Sequence, residues 1–458
     1  MEKNTILLEN AILSLINDKK FTSLKDILIT MNSVDIAALL QDVDIEVLPK
    51  IFRLLPKGLA ADTFVEMDTE QQEILITCFS DRELKAVINE LYADDAVDII
   101  EEMPANVVSR ILKHASPDKR KEINELLKYP EDSAGSVMTT EFVNFRSTIT
   151  AGAAINIIHR VGLDKETVNT CYVTGSDRRL IGLVTLRALI IANPEQEISE
   201  IMQTNVIKVT TDTDKETVAN LLKKYDLIAL PVVDNEDRLV GIITIDDAID
   251  VIEEEATEDI EKMAAILPTD KPYLKLGIFE TVKNRIPWLL LLMISATFTG
   301  MIISSFEEKL QLFPALIAFI PMIMGTGGNS GGQSSVTVIR GISLGEIEFK
   351  DIFKVLFKET RVALLCGIIL AAVNFLKVLI FDMWLFSNIG VNGLLENLVV
   401  CLTLFATVLI AKIVGAALPL IAKKIGLDPA VMASPFITTI VDAISLMIYF
   451  GFAALLLI

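Results

Sequence analysis

The sequence predicts a multidomain membrane protein. An all-α stacked-helix N-terminal domain is followed by an α/β pair of repeated modules and an α-helical transmembrane domain with five spans. Three observations carry this. Charge segregates: residues 1–270 hold 27 Lys and Arg against 50 Asp and Glu, whereas 271–458 hold 14 against 11. The 458 residues are 52% hydrophobic yet 22% charged, which fits a soluble part joined to a membrane part. A strand-and-helix module also occurs twice between residues 129 and 252. The acidic soluble half argues against nucleic acid and towards cations as partners. The start, Met-Glu-Lys-Asn-Thr, lacks a charged-then-apolar signal segment, so the soluble half is expected in the cytoplasm. Cys78, Cys171, Cys366 and Cys401 have no paired spacing, which fits a reducing compartment. With only His114 and His159 in the chain, histidine-based catalysis and transition-metal chemistry have little to work with.

Residues 1–128 read as the helical domain. Apolar residues recur three and four apart, in short amphipathic units at Val34–Leu40, Ala61–Met67 and Ala96–Met103 punctuated by Pro56 and Pro104. Asp94 and Asp98 stand four apart and share one helix face. From Tyr129 to Gly135 turn residues end the helical pattern and the repeats begin, spanning 129–252. Val137-Met138 with Leu180–Thr185 matches Ile201-Met202 with Leu239–Thr244, each copy closing on a helix after a Gly-x-x-Thr turn. This pair resembles tandem CBS domains. In that family an acid three residues after the Thr often holds a nucleotide ribose. The second copy has Asp247 and the first Ala188, so ATP as a ligand rests on the second copy alone.

The closing helix continues into an acidic stripe, with Asp247, Asp250, Glu254, Glu258 and Glu261 at steps of three and four and Glu255 and Asp259 beside it. Like charges at this spacing destabilise a helix, and no Lys or Arg within the stripe offsets them, so this face calls for a cation. A solvated acidic face is the competing reading. Residues 253–285 are thus expected to form an acidic connecting helix and then, with Lys275, Lys283 and Arg285, a membrane-surface helix.

Spans are expected at Ile286–Ile303, Leu312–Met324 continuing past a break to Ile339, Val362–Leu385, Leu394–Ile421 and Ala430–Ile458. The expected loop 340–361 and the short turn at Lys423-Lys424 are basic, while Phe381–Glu396 has acids and no Lys or Arg, which places the N-terminus inside and the C-terminus outside. The Gly325–Ser335 stretch is expected to interrupt its helix and line a cavity, since non-helical backbone at bilayer depth needs one; close packing of small residues is the alternative. Asp442 is the one charge of the last span, and an intramembrane carboxylate is a functional-site hypothesis by default. The competing reading pairs it with Lys412 or Lys377.

Taken in order, Pro321, the Gly325–Gln333 motif, the Asp428-Pro-Ala turn, the Asp442 helix, the CBS-like pair and the acidic helix resemble the MgtE family of bacterial Mg²⁺ channels over the whole chain. That resemblance implies a homodimer in the plasma membrane with the pore on the dimer axis, and transport rather than an enzyme activity. It assigns Asp442 as the pore carboxylate, Gly328 and Asn329 to a broken-helix motif, and Asp428 to an acidic site near the pore's end. Asp94, Asp98, Glu216, Asp226, Asp247, Asp250, Glu255, Glu258 and Asp259 become Mg²⁺-sensing positions, so Mg²⁺ is both transported and regulatory. One departure is Gly332, where relatives commonly carry a second Asn. An ion-coupled secondary transporter of divalent cations such as Co²⁺ is the alternative from another class, and a membrane-anchored nucleotide sensor a third.

Overall fold

The computed structural model describes residues 12, 14–16, 18–41, 43–269, 273–274, 276–306, 313–380, 393–432 and 434–457. The chain divides into two compact units, Met1–Ile252 and Glu253–Ile458.

The first unit opens with short helices: α1 (Phe21–Leu28), α2 (Ser33–Gln41), α3 (Leu48–Phe52), α4 (Lys57–Val65), α5 (Thr69–Cys78), α6 (Asp81–Ile88), α7 (Ala93–Glu102), α8 (Ala105–His114) and α9 (Pro117–Leu126). Helices this short are marginal alone and owe their stability to packing. The packing skips one neighbour at a time: α2 rests on α4, α4 on α6 and α6 on α8, with α3 on α5 and α7 on α9. The three-and-four spacing of apolar residues supplies the buried faces, as with Leu84, Val87 and Ile88 of α6. Phe52, Phe64 and Phe79 join successive layers through ring contacts, the nearest at 5.4 Å between centroids. Helix starts are set locally. Ser80 and Glu83 form a reciprocal capping box on α6, and Ser116 caps α9 ahead of Pro117.

Each repeat then forms a three-stranded sheet with one parallel and one antiparallel pair. The first has β1 (Asn144–Arg146), β2 (Thr170–Thr174) and β3 (Leu180–Thr185), with α10 (Ala151–Val161), α11 (Leu186–Ile191) and α12 (Ile198–Ile201). The second has β4 (Val209–Thr210), β5 (Ala229–Val233) and β6 (Leu239–Thr244), with α13 (Lys215–Tyr225). The register shifts at the same place in both, between Val173 and Thr174 and between Val232 and Val233. The leader of each copy pairs with the other: Thr139 bridges Ile242, and Gln203 bridges Leu183. Here the repeated glycine has a steric reason. A Cβ at Gly241 would stand 2.6 Å from the Met138 sulfur, and one at Gly182 would stand 2.9 Å from that of Met202. The closing helix α14 runs from Ile245 to Met263.

The second unit holds α15 (Ile278–Ser305), α16 (Ile320–Ser343), α17 (Ile352–Lys377), α18 (Gly393–Lys424) and α19 (Ser434–Leu456). Helix α18 is central, packed on α16, α17 and α19, while α15 touches α19. Among the described residues four helices are long and apolar enough to cross a membrane, in the stretches 278–305, 349–380, 393–424 and 429–456. The fifth helix of the bundle, α16, is 24 residues long and rich in Gly and Ser.

Three expectations change here. The stretch 325–335 does not interrupt its helix: α16 is continuous. Its glycines supply close approach instead, for a Cβ at Gly331 would stand 2.8 Å from an Ile437 methyl and 3.2 Å from the Ala411 carbonyl, and one at Gly415 of α18 would fall on the Gly331 carbonyl. A backbone so tightly enclosed by helices keeps its hydrogen bonds within the helix. Lys283 and Arg285 lie on α15 itself, which passes through Pro287 without ending, so this part of the expected surface helix continues the first span. The basic stretch 340–361 is largely helical, being the end of α16, a turn of 3₁₀ helix at Phe349–Asp351 and the start of α17. Lys275, the start of the second span at Leu312 and most of the acidic stretch 381–396 lie outside the described residues.

Candidate functional site

Asp442 sits half-buried on α19, and its Oδ1 is enclosed with no hydrogen-bond partner among the described residues. The helix around it lies against the glycines of α16. Val441 and Ser445 stand 2.9 and 3.0 Å from the position a Cβ on Gly327 would take, and Thr438 stands 2.8 Å from that on Gly328. Asp442 is therefore within about one helical turn of the α19 residues whose side chains pack on Gly327 and Gly328. The competing reading, a pairing with Lys412 or Lys377, is not seen among the described residues. Lys412 lies 3.9 Å from Glu359 and donates to Ser334, and the Lys377 ammonium lies 5.5 Å from the Phe319 ring centroid.

On α16, Gly328 faces inward and Asn329 outward. Gly325, Asn329, Gln333 and Thr337 form an exposed row at steps of four. A polar row on a membrane helix needs water or a second protein surface, because lipid offers its amides no partner. Asp428, in the turn ahead of α19, accepts from the Ala430 amide at 2.8 Å and pairs with Lys262 at 2.7 Å. Lys262 also pairs with Glu258, so the stretch read as lacking a base has one at its end. Asp259 accepts from Ser343, at the end of α16, at 3.0 Å; burial pushes its carboxyl up and that hydrogen bond opposes the shift.

In the first unit the acids converge from three elements. Asp94, at the start of α7, is 8% exposed with Oδ1 unpartnered among the described residues, and Glu166 Oε2 is likewise enclosed and unpartnered. Asp247 accepts a 2.6 Å hydrogen bond from the Thr244 hydroxyl. Burial, then the charges of Asp95, Asp247 and Glu166, pushes the Asp94 carboxyl well above the carboxylate range. The same causes, burial first and Asp247 next, raise Asp95 to about 6 and Glu166 to about 7. Asp247 is raised by burial, against the Thr244 bond. At the margin Lys119 holds Glu141 at 2.9 Å; burial works against the Glu141 charge, and Lys119 with the Thr139 and Thr140 hydroxyls outweighs it.

The sequence reading missed Asp95, Glu141 and Glu166. Asp95 is adjacent to Asp94 and falls outside the four-residue spacing that singles out Asp94 and Asp98, while the other two become neighbours through tertiary packing alone. Asp98 and Asp250 are exposed on α7 and α14, and Glu255 is half-buried. Glu216 and Asp226 stand at opposite ends of the 11-residue α13, so one copy does not bring them together. Among the described residues no three His, Cys, Asp or Glu side chains have metal-holding geometry. The donor chemistry nevertheless fits a hard cation, since enclosed carboxylate oxygens without partners are what Mg²⁺ takes as ligands.

Comparison with known proteins follows the same division. Residues 31–132 match the MgtE intracellular N domain, 134–195 and 198–254 match CBS domains, and 320–452 match the MgtE divalent cation transporter family. The magnesium transporter MgtE of Thermus thermophilus is 35% identical over 439 residues, 95% of both chains. The chain belongs to the MgtE family. The Bacillus subtilis magnesium transporter MgtE is 32% identical over 96% of both chains. Among solved structures, the cytosolic domain of the Mg²⁺ channel MgtE in complex with ATP is 34% identical with a TM-score of 0.51, covering 53% of this chain and 99% of that one. The soluble part of a magnesium transporter is 28% identical with a TM-score of 0.52, covering 55% and 99%. An MgtE protein is a multi-pass membrane transporter, not an enzyme.

Proposed function

We propose that the protein is a homodimeric Mg²⁺ channel of a bacterial plasma membrane, mediating uptake, with its N-terminus cytoplasmic and its C-terminus outside, closed by Mg²⁺ bound to its cytoplasmic acids. One observation carries the reading: Asp442 Oδ1 is enclosed without a partner among the described residues, on the helix whose Val441, Ser445 and Thr438 pack on the glycines of α16. Two copies apposed through the outward row of Asn329 and Gln333 would bring two Asp442 carboxylates towards one axis. Mg²⁺ gives up water reluctantly, so such a pair holds it with much of its hydration shell in place. At an effective dielectric of 20 and about 4 Å, a carboxylate attracts a divalent ion by roughly 8 kcal/mol before desolvation, and a monovalent ion by about half.

Regulation uses the cytoplasmic acids. When Mg²⁺ is scarce, Asp94, Asp95, Glu166 and Asp247 repel one another; when it is abundant, ions between α7 and α14 draw these elements together. Bound Mg²⁺ favours closure to the extent that it binds the closed arrangement more tightly. ATP enters through likeness to the ATP-bound relative, with Asp247, already bonded to Thr244, as the ribose partner in the second copy. The alternative, an ion-coupled secondary transporter of divalent cations such as Co²⁺, loses its main support, because midplane sites of that class use discontinuous helices and α16 is continuous. The test is Mg²⁺ flux into liposomes for the wild type and Asp442→Asn. Loss of flux in the Asn variant, with wild-type flux indifferent to proton and Na⁺ gradients, supports the channel; near-normal flux in the variant removes Asp442 from the ion path.

A further inference from the structure

The bundle encloses a second ionic group that the ion path does not use. Ser334 of α16, Glu359 of α17 and Lys412 of α18 meet inside it, with Ser334 2% and Lys412 5% exposed. Ser334 donates to Glu359 Oε2 at 2.6 Å and accepts from the Lys412 ammonium at 3.3 Å, while ammonium and carboxylate stand 3.9 Å apart. The serine hydroxyl is the bridge: Glu359 and Lys412 grip one another and, through that hydroxyl, grip α16. Two opposite charges enclosed in a membrane domain carry a desolvation cost, and fixing one arrangement among several is the best-attested use of such pairs.

The position of Ser334 shows what would be fixed. In its middle turns helix α16 has few side chains that could set its rotation, since its inner face there is Gly327, Gly328, Ser330, Gly331 and Gly332, while Ile320, Ile323, Val338, Ile339 and Ile342 pack towards its two ends. A glycine face lets a neighbour approach closely but offers no side chain of its own to interlock with it. At 3.6 residues per turn, Asn329 lies about 140° around the helix from Ser334. Holding Ser334 inward therefore holds Asn329 and Gln333 outward, as observed.

We propose that the Glu359–Lys412 pair acts through Ser334 as a clamp on the rotation of α16, making Ser334, Glu359 and Lys412 positioning residues for the ion path. The inference rests on the channel reading for its consequence, though not for its geometry. Ser334→Ala is the decisive variant, because it removes the grip on α16 and leaves the two charges to neutralise each other. The full-length protein in liposomes should keep its thermal unfolding midpoint within about 2 °C, while its Mg²⁺-over-Ca²⁺ uptake ratio falls at least fivefold. Lys412→Arg keeps a cation with donors and should retain the ratio within about twofold. Glu359→Gln leaves the ammonium unneutralised and should lose the ratio, and adding Lys412→Met should not restore it, because the grip on α16 is still missing. A wild-type ratio in Ser334→Ala overturns the clamp, as does a loss of ratio that only tracks a fall in unfolding midpoint. If Ser334→Ala shifts the ratio while Asp442→Asn transports normally, the clamp stands and the assignment of Asp442 to the ion path fails.

Discussion

In residues 253–458 several acids that face other elements have bases: Glu359 meets Lys412, and Glu258 and Asp428 share Lys262, while Asp259 takes a hydrogen bond from Ser343. In residues 1–252, Asp94, Asp95, Glu166 and Asp247 lie against one another, and the nearby Lys119 is engaged by Glu141. A built-in lysine neutralises a carboxylate permanently; a group of acids without one is left to protons and mobile cations. On the proposed regulation, that difference separates parts that are held from parts that respond. Asp442 is an exception: its Oδ1 has no hydrogen-bond partner among the described residues, and the proposed ion path uses it.

The largest expected effect comes from removing that exception. Asp442→Asn keeps the shape and deletes the charge, so Mg²⁺ uptake should fall by about 100-fold or more while the protein still purifies as folded wild type does. Next is the packing that positions it. Gly415→Ala drives a methyl onto the Gly331 carbonyl, a backbone contact that no rotamer change relieves. Overpacking of this kind costs about 1–3 kcal/mol or more, and the unfolding midpoint in detergent should drop by several degrees. An unchanged midpoint would mean that α16 and α18 are not so closely apposed. Gly300, around which nothing lies within 4 Å of a Cβ, is the control.

A smaller effect, on regulation alone, is expected in the responsive half. Asp247→Asn with Asp250→Asn removes ligands from a hard-cation site and should leave the channel open at millimolar Mg²⁺ without changing uptake at low Mg²⁺. Relief of repulsion predicts the reverse, closure without Mg²⁺; wild-type inhibition would reduce the stripe to a solvated face.

Why these sites differed in legibility follows from the range of the forces involved. The helical domain, the repeats and the spans were readable because periodicity and turn residues act locally. The glycine motif was located but misread, since composition alone reads Gly-rich sequence as a broken helix. Its role is set by Gly415, Thr438 and Ile437, residues far along the chain. Glu359 was hidden in a stretch counted for its basic residues, and Lys412 was noticed as a partner for the wrong acid. Glu141 and Glu166 carry no local pattern, because what matters about them is being enclosed beside α7 and α14.

The smallest expected effect is the most direct probe of the contrast between the halves. Asp95 at about 6 and Glu166 at about 7 lie above the ordinary carboxylate range, burial being the main cause and Asp247 the next. With folded values above the unfolded ones, the folded state binds protons that the unfolded chain has released, so stability falls as pH rises from about 4 to 7 and levels off above. Both groups are partly open to solvent, which limits the effect to about 1 kcal/mol, or roughly fivefold in local opening. Hydrogen exchange at α7 in the full-length protein without Mg²⁺ should therefore report about fivefold more opening at pH 7.5 than at pH 5.5, after correction for intrinsic exchange. Millimolar Mg²⁺ should flatten that dependence, because a bound divalent ion replaces the protons, whereas K⁺ at equal ionic strength should not. Opening that decreases with rising pH, or flattens equally with K⁺, would mean that these acids do not act as one cation-responsive group.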